Sequence, residues 1–442
     1  MASSLFANHI SQRIIKISSP EYSKLFHYNI LSLKSQTQIS NHVFSEMKKL
    51  TIIGGGPAAL ILAAELDTTK YKVTLCERKK TMGRKFLVAG EGGLNLTYNS
   101  SIEELIKRYF PSDFMAPIIR QFTNKDLINW LNAHDIPTFI GSSNRVFPEL
   151  DLKPIEVLNK ILGFISGREI DFKLGTKWVG WDKEGQLSFE DIDAIDSDIV
   201  IFAMGGSSWK VTGSDGGWKK LFEERGVKVQ PFRAANCAFE IDWDKDFIEK
   251  HEGKPLKNIA LTYANHFSTG ELVISKFGLE GNAIYALSQK IQDKLLTQES
   301  VVIHLDLKPT MSVEQLRAKY KNAGRAKVTD ILKKDLNLDR TSIGLLKQFT
   351  AKATFSNPDL LMETIKSVPV TIKSAGGLDE AISSLGGIAL EEVDENFQCK
   401  KIPNTYAIGE MLDWYAPTGG YLLQGCFSMG FVLAKYLNGL DE

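Results

Sequence analysis

An α/β fold is predicted by three features of this chain. An apolar strand runs through a glycine turn into a helix, a second strand ends in an acid, and the middle of the chain alternates in the manner of antiparallel β-structure. The first feature is "LTIIGGGPAALILAAEL", Leu50 to Leu66, a short apolar run, three glycines and a helix former with Pro57 at its first turn. The spacing Gly54-x-Gly56-x-x-Ala59 fits a dinucleotide fingerprint, in which glycines admit a pyrophosphate to backbone amides and a small third residue lets helix and strand pack closely. Pro57 and Ala58 then open the helix whose N-terminus faces the phosphate charge.

Glycine turns also occur where a chain merely needs positive φ, so the next strand decides between the readings. "YKVTLCER" places Glu77 at a strand end, 23 positions after Gly54, where a carboxylate accepts from a ribose hydroxyl. The glycine-rich "KKTMGRKFLVAGEGGLNLTYNS" follows as a long loop, offering Arg84, Lys85, the amides around Gly90 to Gly93 and the side chain of Asn95. "DIVIFAMGGSSW" reads as a strand, Ile199 to Met204, running into Gly205 and Gly206. "GSDGGWKKLFEERG" reads as a helix with Ser214 or Asp215 at its N-cap and Gly226 at its end. No second glycine fingerprint follows, which sets the chain apart from the pyridine-nucleotide disulfide reductases. Near the C-terminus a strand at Tyr406 to Ile408 leads to Glu410 and Asp413, a Gly419-Gly420 turn and a helix rich in small residues. Carboxylates there suit polyol hydroxyls, and the amides opening the helix suit developing negative charge.

The totals narrow the class. The 442 residues, 43% apolar and 24% charged, suffice for two or three domains. Fifty-three basic residues balance fifty-three acidic ones, so no global field recruits nucleic acid or an anionic membrane. No apolar run approaches a membrane span. Cys76, Cys237, Cys399 and Cys426 stand apart with no metal-ligand spacing, so no metal is expected and a reducing compartment suits them. Residues 1–46 are Ser-rich and acid-poor, with Glu21 and Glu46 as the acids; they read as a disordered extension ahead of Met47 or as a targeting peptide. The cytoplasm is the expected location, with organelle targeting by residues 1–46 as the other reading.

In the middle, "ANCAFEI", "IALTYA", "ELVIS" and "VVIHLDL" predict a small antiparallel sheet or barrel over about 229 to 310. The residues that follow are charged and helical, with Leu316, Val328, Ile331 and Leu332 on a buried face. Within them "LRAKYKNAGRAKVTDILKK" is a local basic stretch, read as a charged helix face. His266 and His304 read as loop or strand-end histidines, and Trp414 and Tyr421 as aromatics that stack on a ligand or pack beside the Gly-Gly turn.

Taken in order, "IIGGGPAAL", "ERKKTMGRKFLVAGEGGLNLT", "FAMGGSSWKVTGSDG" and "AIGEMLDWYAPTGGYLLQGCFSMG" resemble the BaiN-like FAD-binding flavoproteins, a family that includes enzymes described as aminoacetone oxidases. "GELVISKFGLEGNAIYALS" and "SLGGIALEEVD" extend the resemblance from about Leu50 to the C-terminus. It implies noncovalent FAD in a Rossmann-like domain split by an inserted barrel-like β domain and a helical segment. The expected boundaries are 47–228 and 366–442 for the FAD-binding halves, 229–311 for the β domain and 312–365 for the helices, with substrate entering between domains. By position, Gly54, Gly56, Pro57, Ala58, Ala59 and Glu77 would hold the ADP half. Gly83, Arg84, Lys85, Gly92, Gly93, Leu94 and Asn95 would line the flavin. Ala203 and Gly205 would pass near the adenine side, Glu410 and Asp413 would meet the ribityl chain, and Gly419, Gly420, Tyr421 and Leu422 the isoalloxazine end. Leu94-Asn95-Leu96 stands where many members read Arg-Cys-Asn, which places the chain in a "GLNLT" subgroup.

The function this implies is an FAD-dependent oxidoreductase passing hydride between flavin and a small organic substrate. Lys85 and Asn95 are the candidates for a part in the chemistry, Lys85 by stabilising charge at N1 or C2=O of reduced flavin or by pairing with phosphate. Electrons flow from an amine to dioxygen in one version; in the other, NAD(P)H is a transient donor and a carbon–carbon double bond is reduced. A reading of another class is a flavin redox sensor or an RNA-associated flavoprotein. A small-molecule substrate is expected, without nucleic acid or membrane partners, and the oligomeric state is left open.

Overall fold

The computed structural model describes residues 47–89, 93–324 and 326–440. The expected extension at 1–46 and the expected cofactor contact Gly92 therefore lie outside the described residues. The described residues divide into a first unit, 47–233 with 384–440, and a second unit, 234–383.

Five strands form the parallel sheet of the first unit: β1 (Lys48–Ile53), β2 (Tyr71–Glu77), β3 (Ile170–Leu174), β4 (Ile199–Phe202) and β5 (Thr405–Ala407), in the order β5-β4-β1-β2-β3. The last four residues of β1 and all of β4 are buried, as parallel strands covered on both faces require. Helices of this unit include α1 (Pro57–Glu65), α2 (Arg84–Ala89), α3 (Pro154–Ser166) and α4 (Tyr421–Asn438). α1 is apolar around almost its whole circumference and buries Ala58 through Ala64, so burial rather than amphipathicity holds it. It packs on α4 at Gly430, where a Cβ would stand 2.3 Å from the Ala58 carbonyl oxygen. The absence of a side chain there sets the closeness of the two helices.

In the second unit, six antiparallel strands follow the order Phe239–Glu240, Gly278–Glu280, His266–Ile274, Pro255–Tyr263, Val301–Asp306 and Val368–Ile372. Past Ile372 the chain returns to the first of them. The Glu240 amide donates to the Ser374 carbonyl at 2.8 Å, and the Gly376 amide donates to the Ala238 carbonyl at 2.8 Å. That return closes the curl, the expected barrel-like arrangement, and leaves no long free edge. Leu256, Leu261, Leu272 and Ile303 fill its interior. Helices Val313–Asn322, Val328–Lys334, Arg340–Phe349 and Pro358–Lys366 belong to the same unit. Leu316, Ile331 and Leu332 are buried and Val328 packs against the core, the face expected from periodicity.

Candidate cofactor site

A cavity of about 420 Å³ opens in the first unit where β1, β2 and β4 end. Its floor is the turn Gly54-Gly55-Gly56 and the start of α1, with Pro57 and Ala58 among the lining residues. Gly54 has φ of +107°, and a Cβ on it would lie 2.4 Å from the Ala203 carbonyl oxygen. Only glycine meets both constraints. Gly55 is confined by a side chain, its Cβ position 2.6 Å from Met82 Cγ, whereas a Cβ on Gly56 would stand 3.9 Å from the Ala203 carbonyl oxygen and has room. The expected glycines thus bring β1 against β4 and leave their backbone facing the cavity.

Glu77 closes β2 at the cavity wall. Its Oε2 accepts from the Gly55 amide at 2.8 Å and its Oε1 from the Lys79 amide at 2.7 Å. Burial pushes its carboxyl above the usual range, against these two N–H groups and the nearby charges of Arg78 and Lys79. Each oxygen keeps a lone pair beyond the bond described, so the carboxylate both shapes the turn and remains able to accept from a hydroxyl.

Deeper in the cavity, Lys85 Nζ donates to Ser208 Oγ at 2.7 Å and to Glu410 Oε2 at 2.9 Å. Lys85 and Glu410 are 24% and 16% exposed at their side chains, an ion pair with little solvent screening. Cys76 and Cys426 also line the cavity; burial pushes the Cys76 thiol up to about 12 and the Cys426 thiol higher still. Thiols so raised are inert packing groups at neutral pH.

The opposite wall comes from residues that sequence reasoning did not select. Arg78 Nη1 donates to Asp215 Oδ2 at 2.8 Å, and the Trp218 indole donates to the Gly205 carbonyl at 3.0 Å. Burial opposes an ionised Asp215, yet the Arg78 guanidinium and the Gly217 amide hold its carboxyl below the usual range. Trp178 and Val179 complete an apolar side. The helix expected to begin at Ser214 or Asp215 begins at Lys219 instead, because the Asp215 carboxylate turns to Arg78 and to the Gly217 amide. Glycine density in "TGSDGGW" was the available signal.

Of the residues expected to hold cofactor, Gly54, Gly56, Pro57, Ala58, Glu77, Gly83, Arg84, Lys85, Ala203, Gly205 and Glu410 line this one cavity. Ala59, Gly93, Leu94, Asn95, Asp413, Gly419, Gly420, Tyr421 and Leu422 are not among its lining. Asp413 Oδ1 accepts from the Gly386 amide at 3.1 Å, and burial raises its carboxyl against that bond and the charge of Arg233. Tyr421 stacks on Tyr98 at 5.2 Å, and its carbonyl accepts from the Tyr109 hydroxyl at 2.8 Å. Asn95 Nδ2 donates to the Gly93 carbonyl at 3.2 Å, while its Oδ1 is buried without a partner. His266 bonds Lys290 and His304 bonds Ser367; neither lines the cavity.

The arrangement fits a dinucleotide. A turn whose Gly54 leaves no space for a side chain sits before a nine-residue helix, beside an acceptor carboxylate and an apolar wall. Among the described residues, Arg78 Nε, Thr81 Oγ1 and Trp178 Nε1 of the lining are buried polar atoms with no protein partner. Among the described residues no cluster of His, Cys, Asp and Glu is arranged for a metal.

Residues 48–436 match the HI0933-like protein Rossmann domain family. The chain is similar to the 3-dehydro-bile acid delta(4,6)-reductase of Clostridium scindens, 23% identical over 413 residues that span 88% of this chain and 98% of that one. It is also similar to the ribosomal RNA dihydrouridine synthase of Escherichia coli (strain K12), 23% identical over 393 residues, 87% of this chain and 97% of that one. Among solved structures it resembles a 3-ketosteroid-delta4-(5alpha)-dehydrogenase from Rhodococcus jostii RHA1, with a TM-score of 0.47 and 14% identity over 89% of this chain and 97% of that one. The chain belongs to the HI0933-like family of Rossmann-domain proteins, and with that membership it is an FAD-dependent oxidoreductase.

Proposed function

We propose that the protein reduces a carbon–carbon double bond conjugated with a carbonyl, with NAD(P)H as the donor. The observation that carries this reading is the chemistry shared by the two named relatives. A delta(4,6) double bond of a 3-dehydro bile acid and the base double bond lost in dihydrouridine both lie in conjugation with a carbonyl. In such a reduction one hydride and one proton add across the bond, and NAD(P)H leaves as NAD(P)⁺.

Bound FAD would supply two-electron transfer by way of hydride. The chain's own residues would bind and orient it. Gly54 to Ala58 offer backbone to the pyrophosphate and Glu77 an acceptor to the ribose. Lys85, held by Ser208 and Glu410, would offer its remaining N–H to an acceptor on the ligand. Asn95, with its unpartnered Oδ1, is an acceptor for a donor on cofactor or substrate. Asp413 and Gly419 to Leu422 would serve the flavin end, a role supported by their position in the family motif. All four cysteines are free, which suits the reducing cytoplasm where NAD(P)H is abundant.

The test is anaerobic stopped-flow absorbance of the FAD-loaded protein mixed with NADH or NADPH, then with a conjugated enone or with dioxygen. Bleaching by the nicotinamide, rapid recovery with the enone and slow recovery with dioxygen are expected. Bleaching by a small amine, followed by fast reoxidation and peroxide release, would replace this reading with an oxidase.

A further inference from the structure

We infer that the helical face of the second unit marked by Lys321, Lys327, Lys333 and Lys334 docks RNA. The inference rests on the reductase reading to the extent that it makes RNA the carrier of the reduced double bond.

Over the whole chain the charges cancel, yet residues 308–352 contain eleven Lys and Arg against four Asp and Glu, an excess of seven. Some of that charge is committed. Arg317 is held by Asp359 and Glu363, and Lys319 Nζ donates to the Asp335 carbonyl at 3.4 Å. Lys321, Lys327, Lys333 and Lys334 are exposed, and among the described residues none of them forms an ion pair.

Helix stability accounts for three of the four placements and not for the fourth. Lys321, Lys333 and Lys334 stand in last turns, where a cation suits the helix dipole. Lys327 is the N-cap of Val328–Lys334, the end at which the dipole disfavours positive charge. The Lys319 bond to the Asp335 carbonyl ties the first of these helices to the residue that ends the second.

The kind of polyanion follows from what the face lacks. A protein interface is built around apolar anchors, and a helix resting on a bilayer inserts them. Among the described large apolar side chains, none between residues 303 and 359 is exposed. A face with unpaired lysines and no apolar anchor suits a phosphate backbone, where affinity comes from counterion release.

Fluorescence anisotropy of the full-length, FAD-loaded protein with a labelled RNA stem–loop tests this across a salt series. Lys321→Gln, Lys327→Gln, Lys333→Gln and Lys334→Gln together should weaken binding by about 100-fold and flatten the slope of log K against log salt by roughly 3. The corresponding four-Arg protein should retain both affinity and slope. An unchanged melting temperature and flavin spectrum in the Gln protein would exclude misfolding as the cause. Equal affinity of native and Gln proteins, or no RNA binding by the native protein, would overturn the assignment. Lysine-dependent binding to phosphatidylserine vesicles without RNA binding would do the same. Enone turnover separates the two readings. Its failure in both proteins while lysine-dependent RNA binding persists would remove the reductase reading alone; equal turnover with lysine-independent RNA binding would remove the docking face alone.

Discussion

In the first unit the cavity floor is mostly backbone, brought into place by a turn whose Gly54 has no space for a side chain, whereas the second unit carries its distinguishing charge on lysines that touch little. The first arrangement tolerates no side chain at Gly54, and the second tolerates single changes and responds only to their sum. Function written in backbone approach is coupled to folding; function written in surface charge is separable from it.

The sharpest test of that contrast sets one glycine against another. Gly54→Val forces a β-branched residue to φ of +107° against the Ala203 carbonyl, at a cost of about 3 kcal/mol or more, and the protein should purify colourless. Gly278→Ala meets the Phe239 carbonyl with a Cβ 1.6 Å away, so its cost is comparable, but it falls in the other unit. Hydrogen exchange should then rise across the second unit's strands while the flavin absorbance persists. A yellow Gly54→Val protein would break the comparison.

Next in size is Lys85→Met, which leaves Glu410 without its cation in a poorly solvated place and should cost about 2 kcal/mol. Adding Glu410→Gln should restore part of the loss, a coupling that chemical denaturation of the single and double variants measures. Glu77→Gln is smaller, about 1 to 2 kcal/mol, because the amide accepts from one N–H and turns its NH₂ toward the other. Titration of the apoprotein with FAD should show a weaker complex.

The smallest effect is a matter of pH. Burial raises the folded pKa of Asp413 above the ordinary value of 3.8, so the folded protein binds that proton more tightly than the unfolded chain does. Stability from this group is therefore present at acid pH and is lost as pH rises through the folded pKa. Asp413→Asn keeps an acceptor for the Gly386 amide without the charge. It should match the native protein below that window and melt about 2 °C higher above it.

These residues also show how much of the molecule was readable beforehand. The turn at Gly54, the acid at Glu77 and the strand ending near Ala203 were legible because each is a local pattern with one physical meaning. The Arg78–Asp215 wall and the two tryptophans were not, since loops without periodicity bring them together. Closure of the second unit's sheet depends on Glu240 meeting Ser374, over a hundred residues away, while alternation had already indicated a barrel-like form. Asp413 was read from its neighbourhood with Glu410, but only the fold shows that its carboxylate bonds Gly386.

The contact of Gly430 with Ala58 joins the last helix of the described residues to the first of them. A ribosome builds the nucleotide turn early, yet α1 receives its covering partner only when residues 421–438 have been made. β5, from Thr405–Ala407, is likewise supplied at the end of synthesis. A nascent chain must therefore carry an apolar, nearly featureless α1 through most of its translation without the surface that buries it. Any early stop codon, even one that spares the whole fingerprint, yields a chain with an exposed apolar helix, a substrate for chaperones and proteases in place of a partial enzyme.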